Sequence, residues 1–180
     1  MNVIETPLPG VVLLEPAVFS DDRGFFLESY NERVFAEIGI REKFVQDNHS
    51  YSKHGVVRGL HYQIERPQGK LVRAVSGEVL DVIVDLRRSS PTCGRWHGVK
   101  LTDSNRRLVW IPPGYAHGFR VLSEGAHVLY KATEFYFAHL DRTVLWNDPH
   151  LAIDWQGADE PLLSEKDRRG VRFQDAELFP

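Results

Sequence analysis

The chain has 180 residues, a formal charge of −3 and 42% hydrophobic residues, which suits a single domain over 1–180 that buries roughly 70% of its unfolded surface without a disulfide or metal staple. Mixed charges without long like-charged blocks argue against nucleic-acid partners, no run approaches the ~20 apolar residues of a membrane span, and residues 1–20 lack the basic start and apolar core of a signal peptide. One cysteine, Cys93, rules out an internal disulfide and suits a reducing, cytoplasmic setting.

In chain order, Gly10 to Glu15 reads as a short apolar strand stopped by Pro16. A turn cluster, Ser20 to Gly24, precedes an aromatic-rich strand over Phe25–Tyr30. Asn31 is placed to cap a short helix with Val34, Phe35 and Ile38 on one face and Gly39 at its end. Strand-like runs follow: Phe44–Tyr51, Val56–Gln63, Lys70–Ser76, Val79–Leu86, Trp96–Leu101, Leu108–Ile111, His117–Leu122 and Val128–Phe135. Turn signals separate them, among them Gly77, Ser89-Ser90-Pro91, Asp103-Ser104-Asn105, Pro112-Pro113-Gly114 and Glu124-Gly125. So many short strands at this spacing predict a mainly β sandwich or small barrel. From Val144 onward a tail mixes a strand or loop with short helices, one of them capped by Ser164.

Two stretches resemble the paired motifs of a cupin barrel. Gly55 and His61 have the spacing of the first, and Pro112-x-Gly114-x-x-His117 that of the second. Gln63 stands where a metal-binding cupin has its second histidine, and no acid follows at the expected offset. Two histidines and an amide are a poor donor set for a transition metal, so the motif points to a cupin barrel without a metal. The histidines are then either core groups satisfied by hydrogen bonds or part of a pocket. Arg58, His61, Lys70 and Arg73 crowd neighbouring strands, and inward-facing charge in a small barrel needs a partner or an anionic ligand. Strict alternation puts Arg58 and His61 on opposite faces, and a bulge at Gly59 would bring both to one side. Tyr130 and Tyr136 share strand parity, so that a phenol facing an imidazole across a pocket would make an acid–base pair. Lys70 would then hold a developing oxyanion.

Motifs along the chain strengthen this. They are Asp21-Asp22-Arg23-Gly24-Phe25-Phe26-Leu27-Glu28-Ser29, Phe44-Val45-Gln46-Asp47-Asn48-His49-Ser50, Val57-Arg58-Gly59-Leu60-His61-Tyr62-Gln63, Gln68-Gly69-Lys70-Leu71-Val72-Arg73, Trp110 through Phe119, Leu129 through Thr133 and Leu145-Trp146-Asn147-Asp148. Together, and in this order from about residue 4 to 167, they resemble the dTDP-4-dehydrorhamnose 3,5-epimerase family. The resemblance implies a cofactor-independent isomerase of jelly-roll subunits acting on a dTDP-4-keto-6-deoxy sugar. It implies a homodimer in which strands within 1–50 cross to the partner's site and 144–180 forms a C-terminal extension. It assigns His61 as base, Asp167 as its partner, Tyr130 as proton donor and Lys70 as the group at the C4 oxygen. Arg23, Arg58 and His117 match phosphate and sugar contacts. Glu28, Gln46, Asn48, Asp141 and Lys166 match other substrate positions. Tyr136 matches the ring stacked on thymine, with Phe19 as neighbour.

Overall fold

Alternating inward and outward side chains resolve into two antiparallel sheets packed face to face, in a computed structural model that describes residues 1–180. The strands are β1 (Asn2–Glu5), β2 (Val12–Glu15), β3 (Val18–Asp21), β4 (Gly24–Leu27), β5 (Gln46–Lys53), β6 (Val57–Gln63), β7 (Lys70–Ser76), β8 (Glu78–Asp85), β9 (Trp96–Thr102), β10 (Leu108–Ile111), β11 (Tyr115–Val121), β12 (Gly125–Ala132) and β13 (Asp141–Thr143). One sheet runs β1-β2-β10-β7-β12-β5, the other β13-β6-β11-β8-β9, and β3-β4 forms a separate hairpin. This crossed order is the expected jelly roll. No helix is long and apolar enough to cross a membrane.

Three apolar clusters hold the layers. Between the sheets lie Val72, Val79, Ile83, Val99, Leu101, Val109, Phe119 and Val128 among others. The outer face of the five-stranded sheet, with Leu60, Tyr62, Leu80, Val82 and Val84, is covered by Val144, Leu151, Trp155, Phe173 and Ala176 of the C-terminal extension. The outer face of the six-stranded sheet receives helix α1 (Glu32–Glu37), whose Phe35 is 1% exposed beside Leu71, Leu108 and Trp110. As expected, Asn31 caps α1, its Oδ1 accepting from the amides of Arg33 and Val34, and Gly39 follows at φ +92°. A second short helix, α2 (Glu165–Arg168), starts at Ser164, whose Oγ accepts from the Asp167 amide at 3.1 Å.

Partner strands, not local sequence, decide where several strands end. The run expected over Val128–Phe135 stops at Ala132, because its partners β5 and β7 begin at Gln46 and Lys70, both paired with Ala132. Thr133 to Tyr136 therefore form an irregular segment, and Tyr130 and Tyr136 do not share a strand. The run expected over Phe25–Tyr30 stops at Leu27, where its only partner β3 begins at Val18. The short strands β1 and β3 were not expected. Strand β1 takes its form from its pairing with β2, from Asn2↔Glu15 to Glu5↔Val12.

Strand β6 carries the bulge expected at Gly59. His117 pairs with His61 and Phe119 with Arg58, so β11 advances two residues while β6 advances three. The extra residue turns Arg58 and His61 to the same side while Leu60 and Tyr62 face the outer cluster. Gly59 has φ +115°, and its peptide bond to Leu60 is cis. A Cβ there would lie 2.6 Å from Gly118 Cα and 2.7 Å from the His117 carbonyl oxygen, so no other L-residue fits without moving the strand. Gly59→Ala is expected to cost about 3 kcal/mol of stability, seen as a lower Tm, and to abolish turnover in whatever fraction folds.

Candidate active site

The polar end of the barrel interior holds a cleft of two connected cavities that share His61, Lys70 and Tyr130. One, about 240 Å³, is lined also by Ser50, Arg58, His117, Gly118 and Phe119. The other, about 150 Å³, is lined also by Tyr62, Gln63, Gln68, Tyr136, Asp141 and Lys166. His61 and His117 come from the five-stranded sheet, Lys70 and Tyr130 from the six-stranded one. The imidazole and the phenol thus project from opposite walls.

His61 Nε2 lies 2.6 Å from Asp167 Oδ1. Asp167 is 3% exposed, and its carboxylate also accepts from the Gly59 amide and from Ser164 Oγ. Burial alone would raise its pKa, but the bonds from His61, Ser164 and Gly59 outweigh burial and hold it at about 2. Burial dominates for His61 and lowers its pKa; the attraction of Asp167 opposes this, and Lys166 and Lys70 add to the lowering. The ring is therefore neutral near pH 7. An ionised carboxylate can only accept, so the proton sits on Nε2 and the lone pair on Nδ1.

Lys70 is 9% exposed, and no carboxylate lies within ion-pair range of its Nζ. Burial pushes its pKa down to about 8, with Asp141 and Asp81 pulling it back up. A buried ammonium of this kind is poised for an anionic group. Burial raises the Tyr130 phenol above its ordinary value, Arg58 opposing and Asp141 assisting, so it stays protonated.

Around these groups stand the other expected positions. His117 Nε2 meets Asp81 Oδ2 at 2.7 Å. Arg58 donates through Nε to Ser52 Oγ at 2.9 Å and lines the cleft beside Tyr130. Asn48 and Ser50 alternate onto the Tyr130 side of the sheet, where Asn48 pairs with Tyr130 itself. Asn48 Nδ2 and Ser50 Oγ are both buried without a protein partner, and Gln46 donates to Asn48 Oδ1 at 2.9 Å. Asp141 accepts from Tyr136 OH at 2.9 Å and pairs with Lys166.

Phe19, Arg23 and Glu28 are not brought to this cleft within one chain. Phe19 and Arg23 sit on the β3-β4 hairpin, where Phe19, Phe25 and Phe26 are 65%, 56% and 69% exposed and Arg23 pairs with Asp21. Glu28 accepts from Asn31 near the start of α1. Nor does a metal set form. No group of three His, Cys, Asp or Glu side chains is placed to hold an ion, both histidine Nε2 atoms are committed to aspartates, and the Gln63 amide is bonded to backbone.

Two participants escaped the sequence reading. Asp81 has the inward parity of Val79 and Ile83 on β8, and a lone acid among apolar inward positions was the available signal. Ser50 shares the parity of Gln46 and Asn48, and nothing else marked it.

Residues 5–175 match the family model described as dTDP-4-dehydrorhamnose 3,5-epimerase. The dTDP-4-dehydrorhamnose 3,5-epimerase of Pseudomonas aeruginosa is 59% identical, with 100% of each chain covered. The Legionella pneumophila epimerase, crystallised with dTDP-4-keto-L-rhamnose, superposes with a TM-score of 0.95 at 45% identity, covering 98% of this chain and 94% of that one. A 3′-monoepimerase from Streptomyces bikiniensis, in complex with dTDP-quinovose, superposes with a TM-score of 0.87 at 32% identity, covering 94% and 88%. Fold, cleft and sequence agree: the chain belongs to the dTDP-4-dehydrorhamnose 3,5-epimerase family.

Proposed function

We infer that this protein is an isomerase that inverts C3 and C5 of dTDP-4-dehydro-6-deoxy-D-glucose to give dTDP-4-dehydro-L-rhamnose. The observation that carries the reading is one cleft in which a neutral, aspartate-bound imidazole faces a protonated phenol, with a buried ammonium between the two sheets. A C4 ketone acidifies the hydrogens on both neighbouring carbons. His61 Nδ1 takes one of them, and the imidazolium that forms gains its counter-charge from Asp167. The electron pair moves onto the C4 oxygen, where Lys70 stabilises the enolate by roughly 3–4 kcal/mol. Tyr130 returns a proton to the opposite face of the same carbon, inverting it. Once His61 has lost its proton to solvent and Tyr130 has regained one, the same set serves the second carbon.

On this reading Arg58 and His117 hold sugar and phosphate oxygens, Arg58 by its fork of donors. The unpartnered Nδ2 of Asn48 supports its role as a further substrate contact. Tyr136, with Asp141 and Lys166 behind it, forms the nucleotide end. The exposed aromatic hairpin supports a homodimer in which Phe19, Arg23 and Glu28 enter the partner's cleft. A single-centre epimerase is the alternative, since the 3′-monoepimerase shares this fold and one base–acid pair serves either reaction.

Incubation with dTDP-4-keto-6-deoxyglucose in deuterated water separates the two. Double epimerisation predicts deuterium at both C3 and C5, whereas label at one carbon only contradicts it. In the same assay His61→Ala should lower turnover about 10²–10⁴-fold. Tyr130→Phe should retain exchange but lose inversion.

The pH dependence of kcat/KM is the second test, since it reports the free enzyme. Activity should rise as His61 deprotonates, with a midpoint below the ordinary 6.5, and fall as Lys70 deprotonates near pH 8. Lys70→Arg should slow the reaction and remove the fall near pH 8; a fall that stays in place would assign it to another group.

Shared sites predict complementation between subunits. His61→Ala and Arg23→Ala dimers should each be nearly inactive. Mixing and re-associating them should restore about a quarter of wild-type activity, because half the dimers are mixed and each has one intact site. No recovery on proven subunit exchange would place Arg23 in its own chain's cleft.

A further inference from the structure

Gln63 occupies the position of a metal-ligating histidine in the cupin motif, and its amide is put to a different use. It is 3% exposed. Its Nε2 donates to the carbonyls of Arg66 at 2.6 Å and Phe135 at 3.1 Å, and its Oε1 accepts from the Phe137 amide at 2.8 Å. Two more glutamines grip the same segment. Gln68 Nε2 donates to the Glu134 carbonyl at 2.8 Å, and Gln46 Oε1 accepts from the Tyr136 amide at 3.0 Å. Four consecutive residues, Glu134 to Phe137, thus each have a backbone group held by a glutamine side chain.

This segment lies beyond the last rung of β12, so it has no strand partner to fix it. Its residues Phe135 and Tyr136 are 53% and 54% exposed. An exposed irregular segment ordinarily leaves its backbone to water and moves. Here it is fixed by amides from β5, from β6 and from the turn before β7. The one member that lines the cleft beside His61 and Tyr130 is Tyr136.

We propose that Gln63, with Gln68 and Gln46, is a positioning residue for nucleotide recognition: the three amides hold Glu134 to Phe137 so that the Tyr136 ring stands at the cleft mouth before the nucleotide arrives. This rests on the reading of Tyr136 as the nucleotide contact. Pre-organisation of this kind lowers the ordering cost of binding, so its loss is felt in affinity more than in the chemical step.

The test uses calorimetric titration with dTDP alone, beside kcat for epimerisation, on Gln63→Met, Gln68→Ala, Tyr136→Ala and the Gln63→Met/Tyr136→Ala double variant. Gln63→Met keeps the side-chain volume and removes all three bonds. It is expected to raise Kd for dTDP about tenfold with a smaller effect on kcat, and Gln68→Ala to raise Kd about threefold. The double variant should bind no more weakly than Tyr136→Ala, since both changes act through one ring. Wild-type affinity in a folded Gln63→Met protein, or penalties that multiply in the double variant, overturns the proposal. If Gln63→Met does not fold, Gln68→Ala decides alone, and unchanged affinity there overturns it. Tyr136→Ala binding dTDP as well as wild type refutes the underlying reading of Tyr136. Weakened Tyr136→Ala beside unaffected glutamine variants refutes the clamp only.

Discussion

A single bond, His61 Nε2–H to Asp167, joins the barrel strand β6 to a tail helix 106 residues away. It depends on two local devices. The bulge at Gly59 turns His61 inward and points its own amide at the same carboxylate. Ser164 caps α2 through the Asp167 amide and donates its hydroxyl to the Asp167 side chain. The carboxylate is thereby ionised at every pH where the protein works, and the imidazole has only one available tautomer. The pair also ties stability to acidity. Asp167 falls from an ordinary 3.8 to about 2, so it contributes about 2 kcal/mol above pH 4 that is lost as pH drops through 2.

The layering explains why the polar cleft sits at one end. The sheets meet over Val72, Ile83 and Val109 in the barrel's apolar half. Polar side chains gather where β5, β6, β7 and β12 converge, and Asn48 and Ser50 are left with unpartnered atoms there. Buried polar atoms without partners cost stability in the free protein. A ligand that satisfies them recovers that cost on binding. Lys70 behaves alike, since burial lowers its pKa and an enolate oxygen would restore it.

Much of this was legible in the sequence. The strands over Lys70–Ser76 and Leu108–Ile111 appear where the strand-like runs between turn signals put them, the Asn31 and Ser164 caps act as caps, and Gly59 announces its bulge. What sequence did not show is pairing. Nothing local stops β12 at Ala132; the starts of β5 and β7 do. Nothing local marks Asp81 as the partner of His117 across 36 residues. The roles of Asp167 and Tyr136 came from family resemblance, because no spacing rule connects either to His61. Gln63 was legible only as a missing metal ligand, and its three bonds to backbone needed the folded chain.

The cleft depends on the protonation state of one ring, and nitrogen NMR of His61 in the resting enzyme reads that state. With ¹⁵N-labelled histidine at neutral pH, His61 is expected as a neutral ring protonated at Nε2, with an unprotonated Nδ1. An imidazolium at neutral pH, or the opposite tautomer, would contradict the assignment of His61 as a base oriented by Asp167.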